Sequence, residues 1–219
     1  MIAAYCGLIG AFALTAYFAA PAFTNWPFNG ASGAELISYG RSHQTLFYAG
    51  AWLQATGTLL SIVFFLAIVQ LARAASQLSG LLVIVASTAL LSLVLVEGAF
   101  MVAVPQAAMA GDTSTVVTTF ALSNGVFVRV FPLAPASASY LALSAVILGS
   151  RVLHRTFGYL AAAIGLAFAV AGLVAIFSTL GLVLTIVLSV VQELWIVAAA
   201  IALGWSGRVA AMSASKIAS

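Results

Sequence analysis

Three ionisable side chains stand in stretches that are otherwise almost wholly apolar: Glu97 in LSLVLVEGAFMVAVP, Arg129 in SNGVFVRVFPLAPAS and Glu193 in LSVVQELWIV. A carboxylate in such a setting can hold a cation, move a proton or act as acid or base. A guanidinium can hold an anionic group or neutralise a carboxylate. Polar neighbours recur at helical spacing around them. Gln54 shares a stripe with Gly50, Gly57, Thr58 and Ser61, while Thr185, Ser189, Gln192 and Glu193 form a second. Asn124 and Gly125 precede Arg129, but a separation of five residues turns a helix by about 140°, so Asn124 and Arg129 do not share a face.

The elements that must position these groups follow from composition. The 219-residue chain is 64% hydrophobic and only 5% charged, where a soluble domain carries about 25% charged residues. A single globule of this length still exposes much of its surface, so the chain must use lipid as its solvent. Apolar runs long enough to cross a bilayer of about 30 Å fall near 2–20, 46–72, 79–104, 116–150, 157–178 and 180–204. These predict an all-α bundle of six transmembrane spans in a single domain over 1–219. The fourth run is too long for one straight span. Pro132 and Pro135 predict a kink within 116–150, or else a short helix dipping in over 116–130 before a span from 133 to 150.

Charge sets the expected orientation. Arg73, Arg151, Arg155, Arg208 and Lys216 fall on one side, with Glu35, Arg41 and Asp112 on the other. The positive-inside rule then places both termini in the cytoplasm of an inner (plasma) membrane, with Tyr17, Phe47 and Tyr48 near the outer interface and Tyr159 and Trp205 near the inner one. Residues 1–20 are expected to be a retained span and not a cleaved leader, since no basic stretch precedes the apolar run. In the outer loop, residues 21–45, Ser32 and Glu35 form a capping-box pattern that predicts a short helix over about 33–41. Trp26 and Phe28 could seat that loop in the interface, as a connector or as a lid. Gly158, Gly165 and Gly172, with Ala161, Ala162 and Ala169 between them, predict a close-packed helix seam in the fifth span.

Depth makes the ionisable trio costly. Glu97 would lie roughly 12 Å and Glu193 roughly 20 Å into the membrane at about 1.5 Å per residue. A charge at the bilayer centre costs about 2.5–3.5 kcal/mol even on a lenient scale. The trio is therefore expected to face inward, with Arg129 paired to at least one glutamate; the alternative is an Arg129 that snorkels to the interface from a dipping helix. The expected ligand-binding set is Gln54, Glu97, Asn124, Arg129, Gln192 and Glu193.

Other chemistry is excluded or weak. The lone Cys6 rules out a disulfide framework, and His43 and His154 lie too far from it to form a zinc or haem site. There is no phosphate loop, dinucleotide fingerprint or nucleophile elbow, and no cofactor is expected. The basic balance reflects topology and not nucleic-acid binding.

The stretch ASGAELISYGRSHQTLFYAGAWLQATGTLL, residues 31–60, resembles a group of uncharacterised bacterial integral membrane proteins with six spans. The resemblance implies that architecture and a bacterial setting, and transfers no activity or site residue. The expectation is a non-enzymatic bundle that binds or moves a small amphipathic, anionic or lipid-like ligand, with membrane lipids as its surroundings. Transport by so small a chain would need a homo-oligomer. The alternatives are a membrane-embedded enzyme acting on a lipid or isoprenoid with Glu97 or Glu193 as acid or base, and a structural subunit held by a buried ion-pair network.

Overall fold

The structure is a computed structural model that describes residues 1–27 and 30–217; the side chains of Ala22 and of residues 206–217 lie outside the description, as does Phe28. The chain folds into α1 (Ile2–Phe23), α2 (Gly33–Ser42), α3 (Gln44–Leu71), α4 (Leu78–Ala110), α5 (Thr113–Gly125), two π-helical turns (Val126–Val130 and Pro132–Ala136), α6 (Ser137–Leu148), α7 (Arg155–Phe177) and α8 (Leu180–Ile217). Six stretches are long and apolar enough to cross a membrane: Ile2–Pro21, Gln44–Leu71, Leu78–Ala110, Thr113–Leu148, Arg155–Phe177 and Leu180–Trp205. The protein is a multi-pass membrane protein of the helical-bundle class.

The six spans close into a ring. α1 packs on α3 and α8, α3 on α4, α4 on α5 and α6, α6 on α7, and α7 on α8. Large apolar side chains such as Trp52, Leu82, Leu166 and Leu194 point outward and stay exposed, as lipid-facing surface requires. Phe65, Tyr140, Phe168 and Trp195 turn inward, with the Tyr140 ring edge-on to Phe65 at 5.7 Å and to Trp195 at 5.4 Å.

Close approach of backbones holds the ring tight. A Cβ on Gly172 would lie 2.7 Å from the Leu133 nitrogen, and one on Gly165 would lie 3.0 Å from the Ser137 carbonyl. The small-residue seam thus packs α7 against the second π-helical turn and α6, where dispersion contacts replace the missing hydrophobic drive. Gly10 and Gly57 make the matching crossing of α1 on α3.

The fourth span is one continuous helical stretch. In a regular α-helix the Pro132 and Pro135 rings would meet the carbonyls of Val128 and Phe131 and leave them without donors. The chain relieves this by widening into the two π-helical turns, so no separate dipping helix forms.

A second, smaller core caps the end of the ring that carries α2, hereafter the α2 end. There Leu36, Phe47, Met101, Val104, Val116 and Phe120 cluster. α2 has the expected capping box: the Ser32 backbone N–H donates to the Glu35 carboxylate at 2.7 Å and the Glu35 N–H donates to the Ser32 hydroxyl. These bonds hold the exposed Glu35 carboxyl below its ordinary range. Arg41 Nε donates to the Ala108 carbonyl at 2.7 Å, which ties α2 to the last turn of α4.

Candidate functional site

The interior of the ring holds two buried carboxylates, and each has an amide partner. Glu97 on α4 is 3% exposed and Glu193 on α8 is 1% exposed. Gln54 Nε2, from α3, donates to Glu97 Oε2 at 2.7 Å, and the Tyr17 hydroxyl, from α1, donates to Oε1 at 3.2 Å. Gln192 Nε2 donates to Glu193 Oε1 at 2.9 Å. The short Gln54 bond ties α3 to α4, and without that donor a buried carboxyl oxygen would be left unpaired at a cost of about 1–3 kcal/mol.

These residues line two cavities that meet at Glu97. The larger, of about 70 Å³, lies at the α2 end between Tyr17, Trp26, Met101, Asn124 and Phe127. The smaller, of about 30 Å³, lies deeper and is lined by Gln54, Ser61, Tyr140, Gln192 and Glu193 among others. Phe18 and Phe127 border both cavities and pack ring to ring, with centroids 5.8 Å apart. An aromatic pair therefore stands at the junction, beside the carboxylate that both cavities share.

The loop after α1 frames the mouth. Trp26 and Pro27 line the larger cavity, and the Trp26 ring packs on Phe47 at 5.3 Å and on Tyr39 and Phe120 at 5.8 Å. This anchors the loop in the second core. His43 stacks on Tyr39 with centroids 4.1 Å apart and does not line the cavity.

Of the six residues expected from sequence, five border the cavities. Gln54, Gln192 and Glu193 line the smaller one, Asn124 the larger, and Glu97 both. Both polar stripes face inward, since Gly50, Gly57, Thr58, Ser61, Thr185 and Ser189 are all buried.

Arg129 does not join them, which corrects the expected ion pair. Its side chain is exposed, and Nε donates to the Ala175 carbonyl at 3.4 Å. Among the described residues it forms no ion pair. The cause is local. Through the first π-helical turn, Phe127 and Phe131 take the inward positions, stacked at 5.9 Å, which turns Arg129 outward. Ala175 lies in the last turn of α7, where carbonyls lack intrahelical donors and the helix dipole is negative. Arg129 is a C-terminal cap for α7, level with the α7–α8 turn.

Four contributors escaped the sequence reading. Tyr17 reads as an interfacial aromatic, yet its hydroxyl bonds Glu97. Phe18 and Phe127 are two apolar residues among many, and no periodicity singles them out as a pair. Tyr140 sits fully buried on the smaller cavity with no partner for its hydroxyl.

The arrangement defines a class of site: an intramembrane cavity with a carboxylate floor and aromatic walls, and no cationic side chain in its lining. No protein-family model, curated protein or solved structure matches the chain.

Proposed function

We propose that this membrane protein binds a small amphipathic amine in the cavity at the α2 end, with the ammonium on Glu97 and the apolar body between Tyr17, Phe18, Trp26 and Phe127. The observation that carries this reading is a buried carboxylate at the base of an aromatic-walled cavity from which the one intramembrane arginine is turned away. A charged amine gains a charge-assisted hydrogen bond from Glu97 and attraction to the ring faces. An anionic ligand would meet only a like charge. The cavity volume of about 70 Å³ equals the room for roughly five waters at about 10–15 Å³ each, which suits an amine with a short alkyl chain.

The basic loops support an orientation with both termini in the cytoplasm and the cavity mouth outside. The same charge asymmetry fits a plasma-membrane setting. Passage of the amine through the bundle is a second reading, favoured by the position of Glu97 on both cavities with Phe18 and Phe127 at their junction.

Titration of the detergent-solubilised protein with hexylamine, against hexanoate at equal ionic strength, tests the binding reading. Saturable heat or thermal stabilisation is expected for the amine alone and should vanish in Glu97→Gln. Equal binding of hexanoate, or amine binding that survives Glu97→Gln, would refute it.

A further inference from the structure

The smaller cavity shows a different imbalance, independent of any amine in the larger one. Its lining is rich in oxygen atoms that lack a partner. Glu193 Oε2, Gln54 Oε1, the Ser61 hydroxyl and the Tyr140 hydroxyl each receive and make no hydrogen bond, although all four residues are at least nine-tenths buried. All four line the same space of about 30 Å³. The two amides are already oriented: Gln54 donates its nitrogen to Glu97 and Gln192 donates to Glu193, so the free Gln54 oxygen is an acceptor only.

A set of buried acceptors beside a carboxylate, with no basic side chain in the lining, calls for a positive charge. We propose that the smaller cavity is a sodium site, with Glu193 Oε2 and Gln54 Oε1 as principal ligands and the Ser61 and Tyr140 hydroxyls completing the oxygen shell. The ligand type points to a hard cation, because all the donors are oxygen. The charge points to a monovalent one: of the two carboxylates in the lining, Glu97 already accepts bonds at both oxygens, from Tyr17 and Gln54, so Glu193 Oε2 is the one unpartnered carboxylate oxygen and matches a single positive charge. Among the described residues no group of three His, Cys, Asp or Glu side chains converges to hold a transition metal. The volume admits one ion with a water or two, at about 10–15 Å³ for each water.

The ion would also explain why these orphaned atoms can stay buried. An unpartnered polar group costs free energy in a dry interior, and an uncompensated carboxylate costs more. Sodium removes both penalties at once, and it bridges α3, α6 and α8, which supply the ligands.

The test uses the full-length protein without any organic ligand. Thermal unfolding is followed as sodium chloride replaces choline chloride at constant ionic strength, and binding is read directly with radiolabelled sodium on immobilised protein. Saturable binding is expected, with a rise in Tm of about 5–10 °C at a hundred times Kd. Glu193→Gln should abolish both signals, and Ser61→Ala should weaken affinity several-fold while the fold is kept. Glu193→Gln protein too unstable to purify leaves Ser61→Ala and the direct binding assay to decide. Absence of sodium binding in the wild type overturns the proposal, as does equal stabilisation by choline; a neutralising proton or trapped water would then occupy the cavity. Neither result touches hexylamine binding at Glu97, so the two readings fail separately.

Discussion

Replacing Arg129 with Gln separates a helix cap from a buried counter-ion. The structure assigns Arg129 one hydrogen bond, from Nε to the Ala175 carbonyl at 3.4 Å, and a place at the negative end of the α7 dipole. A well-formed bond from a charged donor contributes about 1.5–3 kcal/mol and an ordinary one about 0.5–1.5 kcal/mol, and a cation in the last turn of a helix about 0.3–1 kcal/mol. The bond is long and the side chain exposed, so the lower ends of the last two ranges apply, and the expected loss is about 1 kcal/mol. For a chain of this size that lowers Tm by about 2–4 °C. Removing one partner of a buried ion pair would instead cost about 3–5 kcal/mol. The assay is a double-mutant cycle on purified protein with Arg129→Gln, Glu97→Gln and the pair, repeated with Glu193→Gln. Coupling energies within about 0.5 kcal/mol of zero are expected, as for independent sites. A coupling above about 1 kcal/mol with either glutamate, or a single-mutant loss of about 3 kcal/mol, would refute the cap.

Three further outcomes follow from local geometry. Gln54→Leu removes the 2.7 Å donor to Glu97 and should destabilise by about 2 kcal/mol, measured by thermal or denaturant unfolding; an unchanged protein would show that Glu97 does not depend on that bond. Gly172→Ala places a Cβ 2.7 Å from the Leu133 nitrogen and should cost about 1–3 kcal/mol by overpacking, although alanine is the better helix former; a gain in stability would contradict the close crossing. Asp112 accepts bonds from the Thr115 N–H and hydroxyl and the Ser114 hydroxyl, which lower its carboxyl below the ordinary value. A lowered folded value means a stabilising contribution that is present above the unfolded pKa of about 3.9 and is lost as pH falls through the folded value. A Tm scan from neutral to acidic pH should show that loss, reduced in Asp112→Asn.

The spans and their inward stripes were legible because lipid imposes a simple rule: a polar side chain in a long apolar run must turn inward. Gln54, Glu97, Gln192 and Glu193 follow it, as does the glycine seam at Gly165 and Gly172. Arg129 was misread because the rule assumes a regular helix. Two prolines widened the turn around it, and the direction of a side chain after a π-helical turn cannot be obtained from α-helical spacing. The orphan carbonyl it caps belongs to α7, a helix distant in sequence. Tyr17 was missed for a related reason, since its partner lies 80 residues away and only the ring closure brings α1 beside α4.

The central claim is that Glu97 makes the larger cavity a site for cationic amphiphiles, and photo-crosslinking tests it most directly. A diazirine-bearing alkylammonium probe and its carboxylate counterpart are irradiated with the protein in lipid nanodiscs, and labelled residues are mapped by mass spectrometry. The ammonium probe is predicted to label the cavity lining at Tyr17, Met101 or Phe127, to be displaced by hexylamine, and to lose that labelling in Glu97→Gln. Equal labelling of those residues by the carboxylate probe, or labelling indifferent to Glu97→Gln, would contradict it.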